Sequence, residues 1–275
     1  MTGPEIEADK IGRRGWRQGS FLPPALFPLL SQSTGLVFRE SEHIAIVISQ
    51  DCDVVQRSLA KEPYVEVIRG RLVQTEDGNL MQGKNPRSIQ IPITSEGDLQ
   101  ICQLSIHDRG RLNRGELSTV DPDNRLALQP RDIRLLGDWV GNRYTRSAFP
   151  DAFNQRLEDP SKKADRRQLR ALLEANGRRV AGIFVRLSSE RELEPHEDYG
   201  IIMWIVIESE IFDNEEALFR LEEELLIPFT RLLGGFPGIR VDDCTLTAKS
   251  EFSLEDLEET RRLELWDSIT NADDE

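Results

Sequence analysis

The stretch Ile201-Ile202-Met203-Trp204-Ile205-Val206-Ile207 is the longest uninterrupted apolar run in the chain. Its seven residues fall far short of a bilayer span, for which a helix needs roughly 20 residues. It is the length of a strand, and residues 199–207 are read as one. A front run, Ile44-Ala45-Ile46-Val47-Ile48, lacks the polar alternation of a half-exposed strand, which implies cover on both of its faces. With 275 residues there is room for one large domain or two modest ones, and two are expected.

Residues 1–15 read as a flexible tail. In residues 21–30, Pro23, Pro24 and Pro28 argue against a regular helix or a central strand and for an extended, packed segment. Strands are predicted at 44–49, 64–73, 88–93 and 99–106, with hairpin turn chemistry at Glu76-Asp77-Gly78-Asn79. Residues 16–110 should therefore form a small, mostly antiparallel β-barrel or sheet.

The texture changes after Asp108. Ile133, Leu136, Trp139 and Val140 recur on one face of a helix predicted over 132–144. A second helix is predicted over 165–176, stopped by Gly177. Residues 111–179 are read as a helical, basic connecting region. Beyond them, strands are expected at 180–187, 199–207 and 239–247, with a helix at 214–233 kinked or broken near Pro228. Ser253 opens a last helix as its N-cap. Strand, strand, helix, strand, helix describes a ferredoxin-like α+β unit over 180–275, so the fold class is α+β throughout.

Charge is spread unevenly. The net of −14 divides into −2 for residues 1–110, +5 for 111–190 and −17 for 191–275. An overall negative charge opposes non-specific binding to nucleic acid. The basic middle is the one stretch suited to a phosphate-bearing partner, unless it faces the acidic rear within the chain or across a homo-oligomer. The acidic domain suits a protein partner. Cys52, Cys102 and Cys244 are widely spaced, with no CxxC pair, and the acidic N-terminus has no apolar stretch of the secretory kind. A reducing cytoplasm fits best, without membrane attachment.

Three places can carry chemistry. The front strand ends in Ser49-Gln50-Asp51-Cys52-Asp53, polar groups presented on a rigid support. Asp51 and Asp53 can hold a divalent metal. Cys52, between two carboxylates, is a poor thiolate, because negative neighbours raise a thiol pKa. The same cluster also reads as a strand-to-turn cap. A metal-nuclease pattern fails here, since the residue two after Glu66 is Ile68 rather than lysine.

His43, His107 and His196 show no metal-ligand spacing and read as surface or turn residues. His107, beside Asp108 and Arg109, is the one favoured for catalysis. The third place is residues 143–151, where Arg143 and Arg146 with Tyr144 and Phe149 alongside can grip a phosphate and stack on a base, or else the arginines pair with the acidic rear and the rings are core. Arg166, Arg167 and Arg170 add positive charge, although a solvated helix face accounts for them better. No Walker A, GxGxxG, GxSxG or kinase signature is present, so no cofactor is predicted.

Arg17-Gln18-Gly19-Ser20-Phe21-Leu22 followed by Ile44-Ala45-Ile46-Val47-Ile48-Ser49 resembles the opening of the MazF/PemK toxins. That resemblance covers about 40 residues and implies a small SH3-like barrel that cleaves RNA. Only Ser49 carries over by position. Glu42-His43 stand where the family usually has Arg-Pro, and the long acidic remainder has no counterpart there. Two functions follow as expectations. One is a binding or adaptor protein of a prokaryotic toxin–antitoxin or phage-defence (antiviral) system, contacting a protein partner and nucleic acid. The alternative is a nucleic-acid-cleaving enzyme with its site at the end of the 44–49 strand.

Overall fold

The computed structural model describes residues 4–95, 97–145 and 148–263. The chain divides into two units, Met1–Glu76 with Pro86–Asn142, and Asp77–Asn85 with Arg143–Glu275.

The first unit runs α1 (Pro4–Arg13), α2 (Phe27–Thr34), β1 (His43–Val47), α3 (Asp51–Val54), β2 (Tyr64–Val73), β3 (Ser88–Ser95), β4 (Asp98–Asn113), β5 (Leu126–Ala127) and α4 (Pro130–Thr145). The last three residues of α4 fall in the second unit. The five strands pair antiparallel in the order β1-β2-β4-β3-β5, and the sheet curls into a half-barrel.

Unbroken apolarity in β1 has the expected consequence. Ala45 and Val47 pack with Ile11, Trp16 and Leu30 in one core, whereas Ile44, Ile46 and Ile48 pack with Ile89, Leu136 and Trp139 in another. Each face of the strand has its own cover.

Four expectations for this unit are corrected. The tail holds α1, whose Ala8 and Ile11 are buried one turn apart, Ile11 within the Trp16 core. The proline-rich segment holds α2, because Pro28 sits in the first turn, where a missing N–H breaks no helical bond. The strand predicted over 99–106 runs on to Asn113, since its far half pairs with Tyr64–Ile68 across a register slip. Ile68 opposes Arg109 while Gly70 opposes Leu104, and the extra β4 residues form a bulge that bends the strand. Finally, Glu76-Asp77-Gly78-Asn79 is no hairpin turn. β2 and β3 both flank β4, and the chain between them makes 3₁₀ turns over Gly78–Gly83.

The second unit adds α5 (Asp151–Leu157), α6 (Lys163–Asn176), β6 (Val180–Leu187), β7 (Tyr199–Ile207), α7 (Ser209–Phe212), α8 (Glu215–Leu221), α9 (Ile227–Leu233), β8 (Ile239–Ala248), α10 (Leu254–Glu259) and β9 (Arg261–Arg262). Its sheet has the order β8-β7-β6-β9, with β7 and β8 parallel and the other pairs antiparallel. This differs from a ferredoxin-like sheet, whose helical crossover passes over a strand. Here the crossover from β7 lands on its neighbour β8. A π-helical turn, Glu222–Leu226, separates α8 from α9 just ahead of Pro228, the break that the proline implied. Ser253 caps α10 in a reciprocal box with Asp256.

Residues 77–85 belong to this unit through close contact with the end of α6. Glycine is required on both sides, since a methyl group on Gly78 or on Gly177 would collide with the other's backbone or with the Glu174 carbonyl. Lys84 lies there fully buried and donates to the Gly177 carbonyl oxygen.

Candidate functional site

Beyond Val47 the chain leaves β1 and is fixed within a few residues. Ile48 N–H donates to the Glu66 carbonyl at 2.9 Å, and the Ser49 hydroxyl accepts the Glu66 N–H at 2.8 Å. Asp51, opening α3, accepts the Gln18 N–H at 2.7 Å, and the Gln18 side chain donates to the Ile48 carbonyl at 3.1 Å. A cleft of about 540 Å³ opens at this strand end. Ser49, Asp53, Glu62, Tyr64, Glu66 and Arg111 line it, and Gly137, Val140 and Gly141 of α4 also face it.

One residue holds the loop that carries Asp53 and Glu62. Arg114, with no exposed surface, donates through Nε to Glu62 O at 2.6 Å. Its Nη1 donates to Asp53 O at 3.2 Å, Val54 O at 3.0 Å and Gln56 O at 2.5 Å, and its Nη2 to Ser58 O at 2.9 Å. Burial works against the guanidinium charge and lowers its pKa, while Glu62 and Asp53 act in the opposite sense. The planar five-donor fork suits this task as no lysine would.

The predicted strand-end residues divide accordingly. Asp53 and Ser49 line the cleft, whereas Asp51 is spent on the Gln18 amide. Cys52 is exposed, and its thiol lies 3.5 Å from an Asp53 oxygen. That hydrogen bond, then burial, then the Asp53 charge raise its pKa. His107 stands exposed in the β4 bulge. Asp108 does not serve it as a partner but pairs with Arg69 at 2.9 Å. Among the described residues, no three His, Cys, Asp or Glu side chains come together as metal ligands. No helix among them is long and apolar enough to cross a membrane.

The phosphate-binding candidates lie elsewhere. Arg143 and Tyr144 close α4, Tyr144 largely exposed, and Arg146 is outside the described residues. Arg166, Arg167 and Arg170 are on α6, whose Leu169 and Leu173 are buried. This helix face is not bare positive charge: Lys162 pairs with Asp165 at 3.0 Å, and Arg166 acts on Asp159 through its charge. Part of the basic middle does meet the acidic rear, through Arg179 with Glu224 at 2.6 Å and Arg186 with Glu259 at 3.0 Å.

Sequence reasoning missed Glu62, Tyr64, Arg111 and Arg114 as site residues. Nothing singled out the last, because Arg109, Arg111 and Arg114 stand close together in sequence and burial of one arginine among them leaves no mark on local pattern. The chain matches no family model, no curated protein and no solved structure.

Proposed function

We propose that this is a binding protein whose front cleft takes a cationic side chain, lysine or arginine, presented by a protein partner. The observation that carries this is the lining. Asp53, Glu62 and Glu66 share one cleft with the half-exposed ring of Tyr64, and Arg111, the only cation among the described lining residues, lies 3.5 Å from Glu66. Carboxylates accept the paired N–H groups of a guanidinium, and a tyrosine face attracts a cation. The Arg114 clasp fixes the backbone that carries two of the three carboxylates, which lowers the ordering cost of binding. The exposed Glu215, Glu216, Glu223 and Glu224 of the second unit favour the same kind of basic partner.

A second reading, cleavage of nucleic acid, has one observation in its favour. Ser49, the residue that the toxin resemblance carries over, and Asp53 line the same cleft. The curled five-stranded sheet supports that relation as an SH3-like scaffold. Three carboxylates crowding the cleft oppose a phosphate backbone there.

NMR titration of the labelled chain separates the two. A short arginine-containing peptide should shift the Ser49, Gln50, Glu66, Gly137 and Gly141 amides, and a single-stranded RNA should not. Shifts of those amides by RNA alone would reverse the order of the two readings.

A further inference from the structure

A second pocket of about 300 Å³ lies in the first unit, lined by Leu22, Phe27, Ile44, Leu72 and Leu126 around His43. The sequence suggested a surface or turn histidine at position 43. Instead its side chain is buried, with the residue only 4% exposed at the start of β1. Its Nδ1 accepts the Arg39 N–H at 3.0 Å, so in the neutral ring the proton resides on Nε2. Burial, followed by the charges of Arg69 and Arg71, lowers the pKa against a smaller opposing effect of Glu42, which favours that neutral form. Among the described residues Nε2 has no hydrogen-bond partner. A buried donor left so is uncommon and costs about 1–3 kcal/mol.

The charged groups at the pocket select the kind of acceptor. Arg125 engages both oxygens of Asp123, at 2.9 and 2.8 Å, so that pair is neutral as a whole, and Glu40 adds negative charge. Among the lining residues an anion would meet Glu40 with no net positive charge to offset it, and of the two arginines that act on His43 from outside the lining, Arg69 is already paired with Asp108 at 2.9 Å. We propose that this pocket binds a small, uncharged, mainly apolar molecule whose carbonyl oxygen accepts a hydrogen bond from His43 Nε2. The site is separate from the carboxylate-lined cleft and shares no lining residue with it.

The test uses the intact chain and two probes of nearly the same shape, cyclohexanone and methylenecyclohexane, with and without the acceptor. Cyclohexanone should shift the His43 Nε2 resonance and the methyls of Leu22 and Leu126, and bind roughly tenfold more tightly than the hydrocarbon. Equal binding of both would leave an apolar hole without acceptor recognition, and no shift with either would leave a pocket occupied by solvent. Each of those results overturns the proposal. His43→Phe should abolish the difference between the probes, and the wild-type comparison stands whether or not that variant folds.

Discussion

Arg114 Nη1 donates to the Val54 carbonyl oxygen at 3.0 Å from a guanidinium with no exposed surface. The same side chain reaches the carbonyls of Asp53, Gln56, Ser58 and Glu62, so one residue sets the shape of the loop from Asp53 to Glu62. Removing it strands several buried acceptors together. Arg114→Met should lower stability by on the order of 3 kcal/mol, read as a fall in the urea midpoint. Arg114→Lys should recover only part of the loss, because an ammonium cannot reproduce the fork. A lysine variant as stable as wild type would refute the clasp.

Gly137 and Gly141 lie one turn apart in α4 and both face the cleft. A methyl at 141 meets nothing within 4 Å, whereas one at 137 comes within 3.3 Å of the Gln18 amide nitrogen. Gly141→Ala should therefore stabilise the protein by up to about 1 kcal/mol through helix propensity, and Gly137→Ala by less. Both should weaken peptide binding at the cleft. Thermal melts and one binding titration decide the matter, and an alanine at 141 that leaves affinity intact would remove that wall from the site.

Lys84 makes stability depend on pH. Burial, then the Arg262 charge, lower its pKa from 10.5 to about 7 against an opposing effect of Asp77. Below about pH 7 the folded chain must hold a buried ammonium, and its full penalty applies. Between about 7 and 10.5 the unfolded chain binds the proton more readily than the folded one, so stability rises with pH across that window. Urea denaturation at several pH values should show this rise, and Lys84→Met should remove it. A slope that survives the substitution would assign the effect to another group.

Cys52 is the exposed thiol of the three cysteines, and its hydrogen bond to Asp53 raises its pKa. Iodoacetamide at pH 8 should modify it slowly, and Asp53→Asn should accelerate the reaction several-fold by lowering the thiol pKa. Mass spectrometry of the labelled peptide gives both rates. Equal rates would mean that the carboxylate does not act on the sulfur.

The elements most legible in sequence were those decided by local pattern. Val180–Leu187, Tyr199–Ile207 and Tyr64–Val73 are found at the boundaries that their apolar runs imply, and Ser253 caps the helix expected from it. The polar end of β1 was also legible as a cluster of polar groups on a rigid strand end, and Ser49 and Asp53 both line the cleft there. What pattern could not show was long-range. The far half of β4 depends on Tyr64–Ile68, some 45 residues earlier in the chain, and loop closure of that kind has no local signature. Arg114 and His43 are legible only once their burial is known, because a polar side chain in sequence carries no mark of the core around it.

Recognition of a basic segment by the cleft carboxylates is read out by affinity for a single peptide. Fluorescence anisotropy of a labelled arginine–lysine peptide would be measured at about 0.15 M salt, where long-range attraction is screened. Wild type would be compared with an Asp53→Asn, Glu62→Gln, Glu66→Gln triple variant and with an equal-charge control, Glu215→Gln, Glu216→Gln, Glu223→Gln. The cleft variant should lose roughly tenfold or more in affinity, as expected when charge-assisted hydrogen bonds are removed, while the control loses little. Equal losses in both variants, or an unchanged cleft variant, would contradict the claim.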